Sequence, residues 1–232
     1  MKNTSVLTLS CPDKPGIVHA VSGLLLQHGA NIEEAAQHSD AQTGLFFMRV
    51  QFTAESDVRP DIDLALQKLA TLWDMAVKLY VTVQRMPTVI MVSQQGHCLN
   101  DLLFRWQSGL LPIDIKAIIS NHRDFEQLAG NYKIPFHHIL VTAATKPAAE
   151  AQQLAIIRSA GAELVVLARY MQVLSDDLCT ALKGKAINIH HSFLPSFKGA
   201  KPYFQAHDRG VKLIGATAHY VTAALDEGPI IE

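Results

Sequence analysis

At residues 84–87 the sequence changes rhythm, and that change divides what it can fold into. Before it, short alternating segments and amphipathic stretches follow in the order strand, helix, strand, strand, helix, strand. After it, apolar runs of strand length alternate with helical stretches. The first order is that of a ferredoxin-like βαββαβ unit. The second requires a mostly parallel, Rossmann-like sheet with helices on both faces, so the fold class is α/β. The expected domains are 1–84 and 85–232, with Gln84-Arg85-Met86-Pro87 as a short linker.

In the first half, residues 4–10 alternate like a half-buried strand, and Cys11-Pro12-Asp13-Lys14-Pro15-Gly16 forms a turn. Ile17, Val18, Val21, Leu24 and Leu25 have helical spacing, with Gly29 as the stop. Residues 30–38 and 44–53 read as strands around a hairpin loop at 40–44, residues 61–72 as a helix, and residues 75–83 as a strand. Asp13-Lys14-Pro15-Gly16-Ile17, followed by Gly29-Ala30-Asn31-Ile32, resembles the opening of an ACT domain, a small-molecule sensing module, over roughly residues 4–83.

In the second half, strands are expected at 88–93, 113–120, 136–140, 163–168 and from Ile187 onward. Helices are expected at 99–106, 125–129, 147–159 and 175–182. The sequence stops at Ile230-Ile231-Glu232, inside what reads as a strand, so the second domain is expected to lack its C-terminal end.

Composition narrows the functional classes. With 49% apolar and 18% charged residues, the 232-residue chain can bury a core. Twenty basic and twenty-one acidic residues, without charge runs, give no electrostatic footprint for nucleic acid or an anionic membrane. Cys11, Cys98 and Cys179 are odd in number and far apart, which suggests neither a disulfide framework nor a zinc ribbon. His137-His138 and His190-His191 are adjacent pairs whose rings would face opposite ways on a strand, which argues against zinc; no metal is expected. Signal-peptide and membrane-spanning patterns are absent, so a cytoplasmic protein is expected.

The chemistry concentrates in Ile187-Asn188-Ile189-His190-His191-Ser192-Phe193-Leu194-Pro195-Ser196-Phe197-Lys198-Gly199 and in Leu225-Asp226-Glu227-Gly228-Pro229-Ile230. Asn188 and His190 are two apart after an apolar run, so on a strand they project from one face. Pro195 and Gly199 end that strand and leave the pair at its C-terminal edge, where open α/β sheets bind ligands. An amide donates to a carbonyl oxygen gaining charge, an imidazole is tuned by a carboxylate partner, and a carboxylate acts as general base. No Gly-x-Ser-x-Gly elbow supplies a covalent nucleophile.

These segments together resemble the formyltransferase family that uses 10-formyltetrahydrofolate, over about residues 88–232. The resemblance implies Asn188, His190 and Asp226 as the catalytic trio. It implies a folate pocket formed by the backbone at Gln172, Val173 and Leu174, within Ala168-Arg169-Tyr170-Met171-Gln172-Val173-Leu174-Ser175, and completed by Ala223, Ala224 and Leu225. Relatives that formylate glycinamide ribonucleotide cradle its phosphate in a Gly/Ser-rich loop after the first strand. Here that segment is Ser93-Gln94-Gln95-Gly96-His97-Cys98-Leu99-Asn100, a poor phosphate nest with one glycine. If no phosphorylated amine docks there, water is the remaining acceptor.

An ACT domain fused to such a catalytic domain is similar to the formyltetrahydrofolate deformylase family. That resemblance implies hydrolysis of 10-formyltetrahydrofolate to formate and tetrahydrofolate, balancing one-carbon pools for purine synthesis, with the folate as substrate and no cofactor. Asp13 and Gly16 stand at a helix N-terminus suited to an amino-acid carboxylate, with Asn31 expected to reach the same ligand, and the resemblance implies methionine or glycine as that effector; the alternative is an ACT domain that only forms homo-oligomers through its sheet edges and helices. Residue 204 is Phe where His is expected in Lys201-Pro202-Tyr203-x-Gln205, which withdraws a second imidazole from the pocket. Two competing expectations stand beside the hydrolase: formyl transfer to an amine such as glycinamide ribonucleotide, and a non-catalytic folate- or amino-acid-binding protein.

Overall fold

The computed structural model describes residues 2–55, 58–81, 85–197, 199 and 201–231. Residues 82–84 of the expected strand and linker, Lys198 and Glu232 lie outside the described residues. The chain forms two compact units, Met1–Gln84 and Arg85–Glu232.

The first unit runs β1 (Lys2–Pro12), α1 (Ile17–Gln27), β2 (Asn31–Asp40), β3 (Leu45–Glu55), α2 (Arg59–Trp73) and β4 (Ala76–Val81). The strands form an antiparallel sheet of order β2-β3-β1-β4, the ferredoxin-like pairing. On β3, Phe46, Met48, Val50, Phe52 and Ala54 alternate inward. They pack with Ile17, Val21 and Leu25 of α1 and Ile62, Leu66 and Ala70 of α2. One residue in two on a strand and one in three or four on a helix is the signature that the sequence carries. Gly29, at φ 67, turns the chain out of α1 in a left-handed conformation that costs glycine nothing.

Strand register settles where the expected effector residues stand. Asp13 donates its N–H to Gly44 O beyond the C-terminal end of β1, and Gly16 caps α1 beside it. Asn31 pairs with Thr53, at the far end of the same sheet. Nine positions along β3 at ~3.3 Å each separate the two levels, roughly 30 Å. Asp13 and Asn31 of one chain therefore do not reach a common small ligand, contrary to the expectation from sequence. β2 runs parallel to β1, so its first residue returns to the end where β1 begins.

The second unit runs β5 (Met86–Val92), α3 (His97–Gln107), β6 (Ile113–Ser120), α4 (Glu126–Asn131), β7 (Phe136–His138), α5 (Lys146–Ser159), β8 (Leu164–Leu167), α6 (Asp176–Ala181), β9 (Ala186–His190), α7 (Pro202–Asp208) and β10 (Thr217–Tyr220). Met86 and Pro87, expected in the linker, already belong to β5. The sheet order is β10-β9-β8-β5-β6-β7, parallel except for β10, which runs antiparallel to β9.

β5 is buried on both faces, and this explains its unbroken apolar run. Val89 and Met91 pack into a core with α5 and α6, whereas Ile90 and Val92 pack with α3 and α4. Each such buried side chain contributes about 1.5–3 kcal/mol of transfer free energy. The chain leaves β5 toward β6 and later returns to its other flank through β8. Such a reversal opens a crevice at the carboxyl ends of the strands. No helix among the described residues is long and apolar enough to cross a membrane.

Candidate active site

A cavity of about 280 Å³ opens at the carboxyl ends of β8 and β9. Asn188, His190 and Asp226 all line it, together with Gln172, Val173, Leu174, Ala223 and Leu225. Three segments more than a dozen residues apart in sequence thus converge on one space. Ala224 is not among the lining residues; its carbonyl accepts from Thr222 Oγ1 and from the Glu227 N–H.

The loop after β8 is fastened at both ends. Ser93, one residue past β5, donates its N–H to Arg169 O and its hydroxyl to Asn121 Oδ1, while its Oγ accepts the Met171 N–H at 3.0 Å. At the other end, Ser175 caps α6 by accepting from the Leu178 N–H, and its own N–H donates to Glu150 Oε1. Underneath, Gln153 donates to the Tyr170 hydroxyl at 2.8 Å, and burial pushes that phenol up to about 12. Leu174 anchors in the core, but Met171 and Val173 stay more than half exposed and face the cavity.

Asn188 and His190 come from β9, and the antiparallel partner β10 sets His219 directly opposite Asn188. His219 Nδ1 donates to Tyr220 O at 2.9 Å, since a carbonyl oxygen can only accept. In the neutral ring, Nε2 is then an acceptor, and the Asn188 amide donates to it at 3.3 Å. An amide carries two hydrogens, so the second Asn188 N–H remains for the cavity.

The same reasoning fixes His190. Its Nε2 donates to Phe197 O at 2.8 Å, which leaves Nδ1 facing Asp226 Oδ2 at 3.4 Å. A second proton on Nδ1 makes the ring an imidazolium beside a carboxylate. The separation exceeds the 2.7–2.9 Å typical of a formed charge-assisted bond, so that N–H has room to turn toward an oxygen entering the cavity. The sequence did not reveal that the other nitrogen is spent on a backbone carbonyl.

Asp226 is buried and sits at φ 55, a left-handed angle that aspartate tolerates better than most side chains. Its Oδ2 accepts the Gly199 N–H at 3.0 Å, whereas Oδ1 lies 3.7 Å from His219 Nε2. The turn carrying it is pressed onto β10: Tyr220 donates its N–H to Pro229 O, and a Cβ on Gly228 would collide with the Tyr220 carbonyl. Glycine is required there for close approach.

Read from sequence, His219 either lines the cleft or satisfies a strand end, Arg169 and Gln95 have no role of their own, and Gly199 serves only to end the strand. No periodicity marks them, because each acts through a loop or a register that the fold creates. Phe204 lies on α7, two-thirds exposed and outside the cavity lining. Besides His190, the imidazoles that line the cavity are those of His191 and His219.

Comparison with known proteins agrees with this architecture. Residues 5–73 match the ACT domain family, and residues 86–232 match the formyl transferase family. The formyltetrahydrofolate deformylase of Corynebacterium sp. (strain P-1) is 55% identical over 230 residues, spanning 97% of this chain and 80% of that protein. The crystal structure of the deformylase from Burkholderia mallei matches with a TM-score of 0.87 at 52% identity, covering 99% of this chain and 82% of that one. That of Pseudomonas syringae pv. tomato matches with a TM-score of 0.90 at 46% identity, covering 100% and 78%.

Proposed function

This chain belongs to the formyltetrahydrofolate deformylase family, and on that footing we propose that it hydrolyses 10-formyltetrahydrofolate to formate and tetrahydrofolate. The observation that carries the reading is the meeting of Asn188, His190 and Asp226 in one cavity with the 172–174 and 223–225 segments. The folate ring docks against those two segments, and its formyl group reaches the polar end of the cavity.

Asp226 is the general base. Oδ2 is held by the Gly199 N–H, so Oδ1 takes the proton of the attacking water. The formyl oxygen gains charge as the carbon becomes tetrahedral, and it receives the second Asn188 N–H and the His190 Nδ1–H. His190 donates from Nδ1 in its imidazolium form, with Asp226 Oδ2 3.4 Å away. Collapse breaks the bond to N10, which takes up the proton gathered by Asp226. No cofactor takes part, because the formyl group arrives already activated on nitrogen.

The ACT unit senses an amino acid, methionine or glycine, through the α1 N-terminus at Asp13 and Gly16. Within one chain Asn31 lies at the far end of the sheet from Asp13, so in this reading Asn31 joins the site from a second copy of the chain, and effector binding is coupled to homo-oligomer formation. A cytoplasmic setting fits the free cysteines Cys11, Cys98 and Cys179.

The test is release of formate and tetrahydrofolate from 10-formyltetrahydrofolate, with and without glycinamide ribonucleotide. Release indifferent to the amine supports hydrolysis. Turnover that requires the amine, or none in either case, overturns it.

A further inference from the structure

Arg169 makes a contact that the hydrolytic chemistry does not use. It donates to Gln95 Oε1 through Nε at 3.0 Å and Nη2 at 2.7 Å, and to His191 Nδ1 through Nη1 at 2.6 Å. A guanidinium offers donors alone, so His191 Nδ1 accepts and the ring proton sits on Nε2. The three residues follow β5, β8 and β9, which lie side by side in the sheet. The guanidinium therefore ties three adjacent loops together across the carboxyl edge.

Arg169 and His191 line the reaction cavity, and none of residues 93–97 is among its lining. Arg169 thus stands between the cavity and the loop after β5. Its backbone has φ 61, an angle strained for a residue with a Cβ and unstrained for glycine. A long charged side chain occupies a position where the backbone favours none.

We propose that the Gln95–Arg169–His191 bridge selects water as the acceptor by filling the path an amine would take from the β5 loop to the formyl carbon. The proposal rests on the hydrolytic reading above and adds the determinant of its acceptor. Without the bridge, an amine lone pair would attack the formyl carbon and the bond to N10 would break. The proton lost by the amine would pass to N10, giving a formylated amine and tetrahydrofolate without consuming water.

The test supplies full-length enzyme with 10-formyltetrahydrofolate and glycinamide, and quantifies formate and N-formylglycinamide by mass spectrometry against an enzyme-free control. Arg169→Gly removes the side chain at an angle that glycine adopts freely, so the fold should survive. Gln95→Ala keeps the arginine but unties it. The wild type is expected to give formate and no amide above control. Arg169→Gly should raise the amide-to-formate ratio by about tenfold or more, and Gln95→Ala by less.

An unchanged ratio in an Arg169→Gly protein that melts normally and still releases formate overturns the proposal. So does a wild type that formylates glycinamide, or an Arg169→Gly protein that melts normally yet makes neither product. A wild type that releases no formate overturns the hydrolytic reading itself, and it is seen before any variant is made.

Discussion

The Gly199 N–H donates to Asp226 Oδ2 at 3.0 Å, and this backbone donor aims the carboxylate without consuming its second oxygen. Asp226→Asn keeps the size and can keep that hydrogen bond, but it cannot accept a proton from water. We expect kcat to fall by ~10²–10⁴ with the fold retained. Formate release alongside circular dichroism checks it, and near-normal turnover in a folded variant would remove Asp226 from the mechanism.

Asn188→Ala removes one donor to the developing oxyanion. The expected loss is ~10²–10³ in kcat, about 2.7–4 kcal/mol, with a smaller change in KM. Steady-state kinetics separates the two; a loss confined to KM would mean that the amide binds ground state and transition state alike.

His219 acts one step back, by fixing which way the Asn188 amide points. His219→Ala should cost roughly tenfold in kcat, as for a supporting contact of a functional group. His219→Gln restores an acceptor and should recover part of that loss. Equal defects in both variants would mean that the imidazole does more than orient the amide.

Gly228→Ala drives a Cβ into the Tyr220 carbonyl, so the turn carrying Asp226 must shift. The expected cost is at least about 1–3 kcal/mol. At ~2–4 °C per kcal/mol for a chain of this size, a thermal melt resolves it. Activity should fall further than stability, because the carboxylate moves with the turn.

Burial, and then the nearby Arg169 and His190 charges, lower the His191 pKa from 6.5, against a smaller opposing pull from Asp226. A histidine with a depressed folded pKa contributes its full stability above the unfolded value. That stability is lost as pH falls below about 6.5, where the unfolded chain takes up the proton first. Wild type should therefore lose more melting temperature between pH 7.5 and 5.5 than His191→Gln, in parallel scans. Equal slopes would show that His191 is not the group titrating.

Much of this structure was legible from spacing. Alternation along β3 and the helical stripe at Ile17, Val21 and Leu25 are local properties, and they survive folding because tertiary packing uses the same faces. The i, i+2 pairing of Asn188 and His190 could be read the same way. What could not be read was set by contacts between distant segments. The short α7 and β10 lack a long apolar period, and the separation of Asp13 from Asn31 depends on which strands pair in parallel. Arg169 looked like part of a loop because its left-handed backbone and its partners Gln95 and His191 leave no mark on local sequence.

The pairing of β10 with β9 fixes where this protein can change length in evolution. Thr217, Ala218 and His219 sit opposite His190, Ile189 and Asn188 in turn. Residues added or deleted between positions 209 and 216, past α7 and beyond the Phe197 and Gly199 contacts, lengthen or shorten a connection whose two ends stay anchored. One residue gained inside 217–220 would turn His219 to the opposite face of the sheet and strand the Asn188 amide. Lineages are free to vary the connection, whereas the four residues of β10 can be substituted but not counted differently.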